Sequence, residues 1–299
     1  MKATAVTTLF MLFTFFGIGQ RHQFDYFGMT SPGEKTELFA PGIVSLKNSR
    51  EGSLAISPNG DEVFFAGGPS WPRCKIMHVR KLNGQWTKPE VAEFSRDCYS
   101  TEPAFSPDGR YLYYSSSKGM PDIQQYCIWR IEKIGNRWGK AKRMIDIPNP
   151  GIWEFHPSIT HDGTVYFCYW DSKTNKGSIY RSKYSAGTDS VPERINLSFD
   201  TQSSVTNPFV DPGDRYIITS STGQYSKGGY DVFISYKKED GSWSPPANFG
   251  DRFNTPGDDD SFDVSPDGRF LFIYKEDDVY WTETKGVFQQ RYEEELNEL

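Results

Sequence analysis

Side chains able to do acid–base or binding chemistry recur just ahead of a repeated turn: Glu51, Glu102, Glu154 with His156, Asn207, and the run Asp258, Asp259, Asp260. If these positions converge, they form a polar cluster around one concavity, the usual form of a ligand site. Trp71, Tyr99, Trp153, Tyr225 and Tyr230 fall in segments expected at the same end. The expected ligand-binding set is therefore Glu51, Glu102, Trp153, Glu154, His156, Asn207, Asp259 and Asp260. The same carboxyls could instead act in pairs, one as a proton donor and one as a base or nucleophile, as in glycoside hydrolysis. For that alternative the residues by position are Glu102, Glu154 and Asp260.

Other chemistries find little support. His22, His78, His156 and His161 are dispersed, without a helical H-E-x-x-H pair for zinc. No metal or other cofactor is expected, although hard carboxylate oxygens at Asp258, Asp259 or Asp260 would suit Ca²⁺. A serine nucleophile elbow, G-x-S-x-G, is absent: "GGPSW" and "GQYSKG" both miss its spacing.

The elements that would position these residues are repeats. Aligned on the turn, the chain reads LAISPNGDEVFFAGG, PAFSPDGRYLYYSSS, PSITHDGTVYFCYWD, PFVDPGDRYIITSST and FDVSPDGRFLFIYKE, with turns beginning at Ser57, Ser106, Thr160, Asp211 and Ser265. The intervals of 49, 54, 51 and 54 residues are propeller-blade lengths. A third strand follows in each unit (KIMHVRK, CIWRIEK, SIYRSKY, DVFISYKK, DVYWTET), and Trp86, Trp138 and Trp243 lead three units into a fourth. Four short strands per unit make one blade. The fifth unit lacks its fourth strand, while Thr36–Ser45, "TELFAPGIVS", precedes the first unit with no hairpin of its own. The expectation is an all-β propeller of five four-stranded blades, closed by that N-terminal strand pairing with Asp278–Glu283. Closure would also remove exposed sheet edges.

In the turn, Ser, Pro, Asp and Gly each suit one position of a type I turn followed by a positive φ. Asp108 and Asp267 are thus expected to be scaffold, because five copies of one carboxylate do not make one active site. The repeated tryptophans are likewise expected to pack between sheets.

The SPDG-R-aromatic pattern, together with the Asp-aliphatic-aromatic start of the third strand, resembles the WD-like β-propeller repeats of TolB-type envelope proteins. The likeness covers roughly 36–285. Thr160-His161 and the shifted Gly213 depart from the pattern. The resemblance implies an envelope interaction role, with six blades as the alternative to five.

Composition agrees with this class. Aromatics are 16% of 299 residues, with 27 Gly and 19 Pro, as in turn-rich β proteins. A formal charge of −6 argues against nucleic acid, which needs clustered cations. Residues 1–19, one early Lys then an apolar run ending in small residues, have the form of a secretory signal. Residues 20–35 would be an extension, 36–285 the propeller and 286–299 an acidic tail. The protein is expected to be exported, periplasmic or extracellular, with no membrane span after cleavage. Cys74, Cys98, Cys127 and Cys168 match no zinc spacing; they could pair in three ways or stay free. The functional expectation is a non-catalytic propeller binding a protein segment, peptide or glycan at the channel mouth. The alternatives are the glycoside hydrolase and a structural propeller of an envelope assembly.

Overall fold

The computed structural model describes residues 24–285 and 287, except 121, 123–124, 145–151, 186–187 and 224. The expected leader at 1–19 and nearly all of the acidic tail at 286–299 lie outside the described residues. No helix among the described residues is long and apolar enough to cross a membrane.

Five antiparallel sheets follow one another along the chain, and each is a blade. Blade one comprises Arg50–Ile56, Glu62–Gly68, Lys75–Leu82 and Glu90–Val91. Blade two comprises Ser100–Phe105, Tyr111–Ser116, Cys127–Ile134 and Lys142–Arg143. Blade three runs through Ile152–Ile159, Thr164–Asp171, Lys176–Ser185 and Glu193–Arg194. Blade four takes Val205–Val210, Tyr216–Ser221, Asp231–Tyr236 and Ala247–Asn248. Blade five has three consecutive strands, Phe262–Val264, Phe270–Lys275 and Asp278–Glu283. Its fourth is Glu37–Leu38, paired antiparallel with Trp281 and Tyr280. The ring therefore has five blades, not six, and closes where the sequence implied.

Second strands are covered on both faces by neighbouring blades. That is why they read as nearly unbroken apolar runs rather than alternating ones. Val63, Phe64, Phe65 and Ala66 are all buried in blade one, as are Phe270, Leu271 and Phe272 in blade five. Between blades five and one, Phe39 and Val44 of the closing segment pack with Trp281, Phe272, Leu54 and Val63. The repeated tryptophans fill seams: Trp138 of blade two lies against Phe64 of blade one, Trp243 of blade four against Tyr166 of blade three, and Trp86 against Phe27 of the N-terminal segment.

The SPDG turns are hydrogen-bonded corners. In blade two, Ser106 Oγ donates to Asp108 Oδ1 at 2.6 Å and accepts the Tyr111 N–H at 2.9 Å, while Asp108 Oδ1 also accepts the Arg110 N–H. Ser265 and Asp267 repeat the first contact in blade five. The closing glycines Gly109 and Gly268 have φ +71°, and Asp214 fills that left-handed place in the shifted fourth unit at φ 58°. All four thiols are free. Cys98 Sγ exchanges hydrogen bonds with Ser100 and Ser116.

Candidate functional site

The inner strands place one residue per blade, four positions ahead of the turn, at the channel: Ser53, Glu102, His156, Asn207 and Ser261. The first four have positive φ (37°, 54°, 57° and 50°), and the pairing register slips at that point in each of their strands. An extra residue there makes a β-bulge, which re-aims its side chain. None of the four is glycine, so each carries strain of about 1–2 kcal/mol. Glu51, Glu102, Glu154, His156 and Asn207, expected just ahead of the inner strands, thus lie within them.

The side chains at these bulges reach to the next blade. Glu102 Oε2 accepts the His156 N–H at 2.8 Å and the Ser115 hydroxyl at 2.6 Å. Asn207 donates to Ser261 Oγ at 3.0 Å and to the Asp260 carbonyl. The His156 ring bonds the Pro208 carbonyl, and its Nε2 makes no hydrogen bond among the described residues. Burial holds this imidazole neutral, with its pKa pushed down to about 4.

Glu102 is 8% exposed. Desolvation, opposed by the Ser115 and His156 bonds and reinforced by the charges of Asp263 and Asp260, raises its pKa to about 7. Both of these hydrogen bonds fall on Oε2, which leaves Oε1 to carry the proton. Asp263 is pushed up to about 6 by desolvation, against the lowering effect of the Tyr274 hydroxyl, which donates to Oδ2 at 2.6 Å. Tyr274 Oη in turn accepts the Leu54 N–H of blade one. Asp260 is solvent-reachable at the mouth yet walled by protein, and its pKa is also raised, mainly by desolvation and the nearby Asp258, with Arg50 opposing.

Other expected members of the set stand apart. Glu51 is buried against the closing segment, where Oε2 accepts the Leu46 N–H, and burial raises its pKa. Glu154 is buried in the inner strand of blade three, opposite Tyr169, and Trp153 beside it pairs with Trp170. Asp259 caps its own loop by accepting from Thr255 N and Oγ1, and Asp258 accepts the Tyr230 N–H. No group of three His, Cys, Asp or Glu among the described residues is placed to hold a metal ion.

Two residues not in the expected set matter. Asp263 stands two positions ahead of its turn, where the other blades carry Ala55, Ala104, Ser158 and Phe209. The signal was present in the aligned units, as one charge in an otherwise small or apolar row. Gly52, in the blade between those of Asp260 and Glu102, has open space where a Cβ would point. At this position blade one therefore places no side chain between the blades that carry Asp260 and Glu102.

Toward the turn face, a cavity of about 850 Å³ lies below these groups, with Asp263 among its lining residues.

No protein-family model matches the chain, and no curated protein matches it. Solved structures do. An α-L-arabinofuranosidase from Lactobacillus brevis is similar with TM-score 0.50 and 13% identity, over 75% of this chain and 83% of that one. A gluconolactonase from Xanthomonas campestris has TM-score 0.49 and 14% identity, over 77% and 71%. A microbial sialidase has TM-score 0.47 and 12% identity, over 82% and 67%. Several other similar chains are longer, and this one spans between 32% and 61% of their length. At such identities the likeness is one of fold: a five-bladed β-propeller, with no repeat family matched.

The expectation of a non-catalytic binding propeller is corrected. The similar structure with a TM-score of 0.50 is named as a glycosidase and shows the fold alone, while in this chain Glu102 is a buried acid rather than part of a solvated rim. Desolvation displaces both Glu102 and Asp263 toward neutral pKa, and the charges of Asp263 and Asp260 add to the shift of Glu102. That arrangement suits proton transfer.

Proposed function

We propose that the channel mouth hydrolyses glycosidic bonds, with Glu102 as the general acid and Asp260 as its carboxylate partner. The observation that carries this is the Glu102 carboxyl, enclosed, fixed through Oε2 and held near neutrality beside two further carboxyl groups. Two carboxyls whose surroundings separate their proton affinities divide naturally into donor and acceptor. Glu102 Oε1 gives its proton to the leaving oxygen as the anomeric C–O bond breaks. Asp260 either adds to the anomeric carbon or takes a proton from the attacking water. Asp263 keeps the acid protonated by its field. Glu154, part of the trio expected from sequence, has no role in this scheme.

Several features support a wider setting. The apolar leader at 1–19 favours export, and the SPDG units favour a TolB-like repeat lineage. A glycan in the envelope or outside the cell is the corresponding substrate class.

The test is turnover on a panel of aryl glycosides, pentofuranosides and hexopyranosides included. Glu102→Gln and Asp260→Asn should each lower kcat by about 10²–10⁴-fold with the fold retained. Unchanged turnover in Glu102→Gln, or no hydrolysis across the panel, rejects the proposal.

A further inference from the structure

The turn-face cavity lies at the end of the channel that carries the repeated turns, and its lining includes neither Glu102 nor Asp260. Its rim is formed by the second turn residue of every blade: Pro58, Pro107, His161, Pro212 and Pro266. Inside the rim the inner strands contribute Ile56, Phe105, Ile159, Val210 and Val264. This inner wall is mostly apolar, and the cavity volume falls in the range that encloses a small organic molecule.

One charge interrupts it. Asp263 lines the cavity and has no Lys or Arg ion-paired to it among the described residues. Its neighbour contacts are the Tyr274 hydroxyl on Oδ2, the Leu54 N–H, and the field shared with Glu102; all the donors are neutral. The rim charges are already engaged: Arg215 pairs with Asp211 at 2.7 Å, and Asp267 accepts the Tyr26 hydroxyl at 2.6 Å. His161, Tyr216 and Tyr236 also line the cavity. A carboxylate withdrawn from water without a counter-charge is a strong attractor for a cation, provided the rest of the ligand tolerates an apolar wall.

We propose that this funnel is a separate binding site for a small molecule bearing a primary ammonium on an apolar group, with Asp263 as the counter-charge. The ammonium reaches the carboxylate at the floor, and the apolar part fills the proline-rimmed wall. An alcohol of the same shape leaves the carboxylate uncompensated, and an acid is repelled. Asp263 also raises the proton affinity of Glu102, so the two readings share this carboxyl, but the binding test reads no hydrolytic step and its failure is distinguishable from that of the proposed activity.

Calorimetric titration of the full chain with phenethylamine, 2-phenylethanol and phenylacetate tests it. At pH 7.5 the amine should bind at least tenfold tighter than the alcohol, and phenylacetate should not bind. Amine affinity should fall as pH drops below about 6, where Asp263 takes up a proton. Asp263→Asn should lose at least tenfold, whereas Tyr274→Phe, which keeps the carboxyl, should still prefer amine to alcohol. Should Asp263→Asn fail to fold, the wild-type amine-over-alcohol preference and its pH dependence decide alone. Equal affinities for amine and alcohol, absence of amine binding, or an Asp263→Asn variant that binds like wild type overturns the proposal.

Discussion

The Glu102 side chain gives the clearest case of a group whose use costs stability. Its folded pKa is about 7, above that of a free carboxyl. The folded state therefore holds a proton that the unfolded chain releases, and stability falls as pH rises from about 4.5 to 7. Glu102→Gln resembles the protonated acid, since its carbonyl oxygen can accept from both Ser115 and His156. The variant should match wild type at pH 4 and be more stable by about 1–3 kcal/mol at pH 8, read by chemical denaturation at both pH values. Equal stability at pH 8 would mean that the carboxyl is not desolvated. His156 adds the opposite trend: its depressed pKa lowers stability as pH falls from about 6.5 to 4 in both proteins, so the comparison cancels it. Of these residues, Glu102, His156 and Asp260 were legible as exceptions to the repeat. Asp263 was hidden because it sits inside a strand segment, FDV, that otherwise reads as ordinary inner-strand sequence.

At the scale of the element, the inner-strand bulge does the positioning. A regular strand would alternate Thr101, Glu102 and Pro103 between faces. The slip between Thr101 and Ala104 instead turns Glu102 toward His156 of the next blade. Sequence alignment could show that these positions differ among blades, but not that they are bulged. A bulge leaves no composition signal when the left-handed residue is Glu, His or Asn rather than Gly. Gly52, beside the bulged Ser53 of blade one, offers a test of the channel itself. Its φ is not in the left-handed region and a Cβ there meets open space, so Gly52→Val should change stability by no more than about 0.5 kcal/mol. If substrate lies between Glu102 and Asp260, the variant should nevertheless raise KM or lower kcat/KM at least tenfold. Unaltered kinetics would place substrate elsewhere in the channel.

For the molecule as a whole, blade number and the manner of closure were legible because they depend on counting repeats and noticing which one is short. Depth was not. The sequence suggested one mouth, whereas the channel has an acidic end and a largely apolar end, where the turn prolines of four units and His161 of the third line the same opening. Closure should be energetically decisive. Trp281 is fully buried against Phe39, Phe270 and Tyr26. Trp281→Ala should cost about 3–5 kcal/mol, measured as the shift in denaturation midpoint at unchanged m-value. A loss below 1 kcal/mol would show that the seam between blades five and one contributes little.

The joint between the chain's two ends also governs when the protein can finish folding. The Tyr26 hydroxyl meets Asp267 across 241 positions of sequence, and Glu37 must wait for Trp281 before it has a strand to join. During synthesis, blades one to four can assemble in order as each hairpin emerges. The closing segment at Glu37–Leu38, made before blade one, however, stays without its partner until Asp278–Glu283 leaves the ribosome. Until then, blade five lacks its outer strand, and the seam that buries Phe39 and Val44 cannot form. A ribosome that stalls a few dozen codons early would release an open arc with two sticky edges, a ready substrate for chaperones and for pairing with another unfinished copy.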